Sequence, residues 1–146
     1  MSDRVALETT LMVRDTCLCH QLQRAARALA RRFDEALRPV GLTNGQFSLL
    51  MALNQPKPPA IGPVAQLLAM DRTTLTAALK PLERDGLVKI VPDADDRRSR
   101  RLILTDKGHR TLASAVPIWE RVHAAIGTGI AGLPCDELRV ALLALC

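Results

Sequence analysis

Apolar residues recur every three or four positions over most of the chain and alternate at a period of two in one short region. That pattern predicts packed helices with one small pair of strands. From Cys17 to Val40, the residues Leu22, Ala26, Leu29, Phe33, Leu37 and Val40 keep helical spacing. Arg24, Arg27, Arg31, Arg32, Asp34 and Glu35 fill most of the remainder, so a long helix with one narrow apolar stripe is predicted. Pro39 and Gly41 end it. Residues 1 to about 14 show little pattern and are expected to be frayed, or held only by packing against another subunit. Thr43-Asn44-Gly45-Gln46 has capping-box spacing and starts a shorter helix carrying Phe47, Leu49, Leu50 and Leu53. The proline-rich stretch Gln55-Pro56-Lys57-Pro58-Pro59 stops it, and Ala60 and Ile61 suit a short edge strand. Gly62-Pro63 then opens a helix through Val64, Leu67 and Leu68.

A three-residue turn, Ala69-Met70-Asp71, leads into a helix from Arg72 to Asp85, with Asp71 as its N-cap. Leu75, Ala78, Leu79 and Leu82 form the buried stripe, which turns Arg72, Thr73, Thr74, Thr76, Ala77 and Lys80 toward solvent. Two helices joined by so short a turn, the second exposing small hydroxyls and bases, form the helix-turn-helix pattern. Hydroxyls and cations on its leading turns can reach base edges and phosphates. Pro81 should bend the second half of this helix.

Gly86 ends the helix and starts a hairpin in which Val88 and Ile90 share one face, as do Leu102 and Leu104. The nine-residue connection from Pro92 to Arg100 is longer than a hairpin turn needs. Its charges are sorted: Asp93, Asp95 and Asp96 come first, then Arg97, Arg98, Arg100 and Arg101. Guanidiniums on a projecting hairpin suit a phosphate backbone or a narrow minor groove, although a salt-bridged solvated loop has the same charge pattern. The consecutive order of helix, turn, helix and Arg-tipped hairpin favours the nucleic-acid reading. Thr105 to Gly108 cap a final long helix with Leu112, Val116, Trp119, Val122 and Ile126 on one side and a kink expected at Pro117. Gly127, Gly129 and Gly132 loosen it before a last apolar helix running from about Leu133 to Cys146. Helices at both ends carry apolar faces that the central module does not need, which predicts a symmetric dimer built from the chain ends.

Composition narrows the partners. With 146 residues the chain is a single domain with a real core, and 48% hydrophobic content with only 2% aromatic suits packed helices. A net charge of +5 favours an anionic partner. The chain reads as cytoplasmic and without a membrane partner, since it lacks an apolar run of membrane-spanning length or a signal-peptide core. Its four cysteines, Cys17, Cys19, Cys135 and Cys146, are therefore expected to be reduced. No nucleophile-base-acid constellation, glycine-rich phosphate loop or HExxH motif occurs, so no catalytic residue, cofactor or metal is expected and the protein is not read as an enzyme. The spacing of Cys17, Cys19 and His20 is too tight for a zinc site.

The fold class predicted is mainly α (α+β), a winged helix-turn-helix with long terminal helices. Residues 17–41 and 106–146 serve dimerisation, 43–105 form the DNA-reading module and 87–105 the wing. The competing class is a helical interaction module whose basic wing binds an acidic protein.

Three runs carry a resemblance to the MarR (multiple antibiotic resistance regulator) family of winged-helix transcription factors. They are Gly41-Leu42-Thr43 with Gln46-Phe47; Leu82-Glu83-Arg84-Asp85-Gly86-Leu87-Val88; and Asp96-Arg97-Arg98-Ser99 with Leu104-Thr105-Asp106-Lys107-Gly108. The resemblance implies a homodimer that represses from a palindromic double-stranded operator until a small lipophilic or aromatic effector, or an oxidant, releases it. It places the helix from Arg72 in the major groove and the wing in the minor groove, with Arg98 inserted and Asp96 supporting the wing. Ala77 stands where relatives often carry Arg. Leu18-Cys19-His20-Gln21-Leu22 is similar to the segment that holds the reactive cysteine of organic-peroxide sensors, making Cys19 a candidate redox sensor. A structural thiol is the other reading of Cys19.

Overall fold

The computed structural model describes residues 3–130 and 132–146. Helices α1 (Leu7–Thr16) and α2 (Leu18–Leu37) are followed by a 3₁₀ turn at Arg38–Val40. Next come α3 (Asn44–Leu53), α4 (Ile61–Leu67) and α5 (Arg72–Arg84), then strands β1 (Val88–Pro92) and β2 (Arg100–Leu104). Helices α6 (Asp106–Gly129) and α7 (Cys135–Leu143) complete the described chain. The two strands are antiparallel and pair Val88 with Leu104, Ile90 with Leu102 and Pro92 with Arg100.

Leucine does most of the packing. Leu37, Leu50, Val64, Leu75, Leu79, Leu82 and Leu102 are fully enclosed and join α2 to α5 and the hairpin in one core. Each such side chain stabilises the fold by about 1.5–3 kcal/mol. The capping box forms as predicted: Gln46 N–H donates to Thr43 Oγ1 at 3.2 Å, and Thr43 N–H donates to Gln46 Oε1 at 3.0 Å. The Asp34 carboxylate accepts from the Asn44 backbone N–H at 2.7 Å and from its side-chain amide at 2.8 Å, tying α2 to the start of α3.

The start of α6 locks onto the turn that follows α5. Gly86 makes that turn with φ +75°, a conformation glycine adopts without a Cβ clash. Thr105 Oγ1 donates to the Gly86 carbonyl at 2.6 Å and accepts from Gly108 N–H at 3.0 Å. Lys107 Nζ donates to the Asp85 carbonyl at 2.7 Å. A Cβ at Gly108 would overlap the Leu87 carbonyl oxygen, so only glycine permits this approach. The run Leu104-Thr105-Asp106-Lys107-Gly108 thus sets the angle between the hairpin and α6.

Several predicted boundaries change. The stretch expected to fray is helical from Leu7, with Glu8 in its first turn and Arg14 in its last complementing the helix dipole. No residue of α1 is buried, and residues 1 and 2 lie outside the described part. Ile61 starts α4 instead of extending a strand, and Ala60 alone bridges to Arg101. The strands reach Pro92 and Arg100, which shortens the connection to Asp93–Ser99. Proline is tolerated there because it ends the strand, where its missing N–H interrupts no ladder. Helices α5 and α6 include Pro81 and Pro117, the positions where bends are expected within them, and α7 stops at Leu143, short of Cys146. Among the described residues no helix is long and apolar enough to cross a membrane.

Candidate nucleic-acid interface

Helix α5 presents its polar face through a doubly bonded cap. Asp71 Oδ1 accepts from Thr74 N–H at 2.7 Å, and Asp71 Oδ2 takes the Thr74 hydroxyl at 2.9 Å. The Thr74 backbone N–H, then its hydroxyl, hold the Asp71 carboxyl below the usual carboxylate range. Arg72, Thr73, Thr74, Thr76 and Lys80 are all exposed, while Leu75 and Leu79 beneath them are enclosed. Arg72 lies across Gly62 at the start of α4, where a Cβ would come within 2.9 Å of its Nη2. Beside it a cleft of about 290 Å³ opens between α5 and the hairpin, lined by Ala60, Gly62, Arg72, Thr76, Arg98 and Arg100.

Within the hairpin the arginines divide into two pairs. Arg101 Nε lies 2.6 Å from Asp93 Oδ2, and its Nη1 donates to the Pro58 carbonyl at 3.1 Å. Asp93 is buried, accepts from Asp95 N–H at 2.9 Å and donates its own backbone N–H to the Ser99 carbonyl at 3.0 Å. The Asp95 N–H holds the Asp93 carboxyl below the usual range, with Arg101 assisting and burial opposing. Arg100 Nη1 donates to the Arg97 carbonyl at 3.1 Å. The guanidiniums of Arg97 and Arg98 are exposed and have no hydrogen-bond partner among the described residues. The Asp96 carboxylate accepts from Arg98 N–H at 3.0 Å and its backbone carbonyl from Ser99 N–H at 3.0 Å, which shapes the tip locally.

Arg101, expected from its charge to face a nucleic acid, is therefore engaged in a brace that ties the wing to residues 58–60. The residue missed was Asp93. Its signal was available: Arg101 pairs with Val91, so an acid two residues past Val91 can reach across the hairpin.

A second feature was not readable from the pattern. Phe47, Met51, Ala52, Leu68, Val116 and Trp119 line a largely apolar cavity of about 480 Å³ between α3, α4 and α6. The Trp119 ring stacks against Phe47 at 6.3 Å and His123 at 4.7 Å. At the other end of α2, Cys17 is the half-buried N-cap, and Cys19 is exposed and accepts from Gln23 Nε2 at 3.2 Å. All four cysteines are free, and among the described residues no metal-ligating cluster forms.

Two helices joined by a short turn and followed directly by a braced two-stranded hairpin make this protein a winged helix-turn-helix. The chain belongs to the MarR family, whose sequence model matches residues 42–99. The transcriptional regulator MosR of M. tuberculosis, solved in complex with DNA, superposes with a TM-score of 0.77 at 39% identity over 87% of this chain and 92% of its own. The transcriptional repressor CouR, bound to a 23-mer DNA duplex, gives a TM-score of 0.73 at 33% identity over 92% of this chain and 93% of its own. The transcriptional activatory protein BadR of Rhodopseudomonas palustris is 34% identical over 106 residues, 70% of this chain. The match spans 57% of the length of BadR. These relatives are transcriptional regulators and not enzymes.

Proposed function

We propose that this protein is a sequence-specific, DNA-binding transcriptional regulator that acts as a homodimer on a roughly palindromic operator. The observation that carries this reading is the convergence of α5 and the wing on one cleft, where Arg72, Thr76, Arg98 and Arg100 meet. In this reading α5 enters the major groove with Arg72, Thr73, Thr74, Thr76 and Lys80 facing DNA. The wing meets the flanking minor groove with Arg97 and Arg98, and Arg100 follows the backbone. Arg101 serves with Asp93 to brace the wing, and Asp96 shapes its tip. The DNA-bound relatives MosR and CouR support this reading.

Residues 17–41 and 106–146 form the dimerisation part in this proposal, and 43–105 the DNA-reading part. CouR is a repressor and BadR an activatory protein, so relatives of similar identity work in opposite directions. We assign repression here because the cavity beside Trp119 joins α3 and α4 of the DNA-reading part to α6. A lipophilic or aromatic molecule seated there would shift one against the other and release the operator. Oxidation of the exposed Cys19 is the second route to release.

The test is selection of bound fragments from the genomic DNA of the source organism, followed by affinity measurements at several salt concentrations. A specific regulator prefers one operator over random duplex by roughly 10³ or more, and its affinity falls steeply with salt. Equal binding to every duplex, or binding only to acidic protein, overturns the proposal.

A further inference from the structure

The hydroxyls of α5 are not interchangeable donors and acceptors. A carboxylate and a backbone carbonyl can only accept, so any hydroxyl bonded to either must donate its single proton to it. Thr74 Oγ1 is 2.9 Å from Asp71 Oδ2, and Thr76 Oγ1 is 2.8 Å from the Arg72 carbonyl oxygen. Both protons therefore point back into the protein. Both side chains are exposed, so what they offer outward is oxygen lone pairs and a methyl group. The hydroxyl of Thr73, also exposed, has no hydrogen-bond partner among the described residues and keeps its proton for an outside acceptor.

Lone pairs cannot pair with phosphate oxygens, guanine O6 and N7, or thymine O4, all of which are acceptors. They match the exocyclic amino groups of adenine N6 and cytosine N4 in the major groove. The outward methyls of Thr74 and Thr76, with that of Ala77, add affinity for the thymine methyl that accompanies adenine. We propose that Asp71 is a positioning residue that sets the hydrogen-bonding sense of α5: by taking the Thr74 proton it makes Thr74 a reader of base amino groups, adenine or cytosine, and Thr76 reads in the same sense. This inference rests on the DNA-binding function proposed above.

Asp71→Asn provides the inversion. Asparagine caps helices about as well as aspartate, and its carbonyl still accepts from Thr74 N–H. That leaves its amide nitrogen facing Thr74 Oγ1 as a donor, so the Thr74 proton is freed to point outward. Wild type and variant are used to select from operators randomised at each base pair. The expected result is that the position read by Thr74 changes from adenine or cytosine toward guanine or thymine. A change on the order of fivefold is expected for one such hydrogen bond. In a second arm, Thr74→Val keeps the methyl and removes the acceptor. It should lose the discrimination between the base it reads, adenine or cytosine, and the analogue of that base lacking the exocyclic amino group, which the wild type should show.

If Asp71→Asn binds every duplex more tightly with unchanged base preferences, only charge has been altered and the inference is overturned. Retained discrimination by Thr74→Val overturns it as well, whether or not the first variant folds. A wild type with no preferred sequence at all defeats instead the proposed function on which the inference stands, a result readily told apart from the other two.

Discussion

Asp93→Asn removes a negative charge beside the arginine tip of a chain whose net charge is +5, so electrostatics alone predicts tighter DNA binding. The structure argues the reverse. Asp93 Oδ2 holds Arg101 Nε at 2.6 Å while Oδ1 accepts from Asp95 N–H at 2.9 Å, and Arg101 continues to the Pro58 carbonyl. An amide can keep the Asp95 bond, but it meets the guanidinium without charge. Backbone contacts of Leu102 with Pro59 and of Arg101 with Ala60 persist, but the tip that carries the exposed Arg97, Arg98 and Arg100 loses its charged side-chain brace and is positioned less firmly. Each phosphate contact accounts for about 0.9 of the slope of log affinity against log salt, so full disengagement of three arginines removes about 2.7 per wing. Between about 50 and 200 mM salt a slope of ~2.7 corresponds to a factor on the order of 40, the ceiling for each wing of the proposed dimer. Anisotropy titrations of the operator at three salt concentrations should show weaker binding by Asp93→Asn and Arg101→Ala, with the slope reduced by more than about one unit. Arg98→Ala should reduce it by only about one and lose more affinity on A·T than on G·C flanks. Tighter binding by Asp93→Asn with an undiminished slope would refute the brace.

Three further outcomes follow from single sites. Gly62→Ala should raise the melting temperature, since alanine favours helix by up to about 1 kcal/mol. It should also weaken operator binding and lower the salt slope by about one unit, because its Cβ displaces Arg72; a slope equal to wild type removes Arg72 from the interface. The carboxyls of Asp34, Asp71 and Asp93 titrate below their unfolded values in the folded protein. The stability they contribute is fully present above about pH 4 and is lost as pH falls through their folded values, so melting curves should show their loss only in acid, and less of it in Asp93→Asn. Organic hydroperoxide should release operator from wild type but not from Cys19→Ser; equal release from both, or from neither, removes Cys19 as the sensor.

Where one residue type could do one job, the pattern sufficed. Thr43 and Gln46 cap α3, Asp71 caps α5, and the leucines of α5 face the core, because capping and amphipathicity act within a turn or two of the chain. Long-range pairing was harder to read. Arg101 looked like its neighbours in a run of cations, and only the register that brings it opposite Val91 shows that Asp93 can reach it. Gly62 looked like a helix opener, yet Arg72 crosses it from another element. The Trp119 cavity draws residues from three helices, and no spacing along one of them reveals a cleft formed between them. The start of α1 failed for another reason: its apolar residues are not segregated to one face, and its Thr, Val and Asp residues weaken the propensity signal as well.

That lack of segregation, together with α7, bears on assembly. Neither α1 nor α7 has a single buried residue, yet Leu7 is 67%, Met12 57%, Val140 69% and Leu143 72% exposed. A lone copy would present these as apolar surface at the outer ends of the molecule, far more than scattered exposed leucines require. In the proposed dimer a twofold partner would cover the same residues on both copies at once, and each side chain so buried would contribute about 1.5–3 kcal/mol to association. The same arrangement would hold two α5 helices apart, which a palindromic operator needs at a spacing of about 34–36 Å. Removing residues 135–146 deletes Val140 and Leu143 from both copies, a loss of about 6–12 kcal/mol if all four side chains are buried in the dimer. Sedimentation should then show dissociation or aggregation, and operator affinity should fall toward that of a half-site. A truncated chain that sediments as a clean monomer and still binds the full operator with wild-type affinity would show that the chain ends do not assemble the regulator.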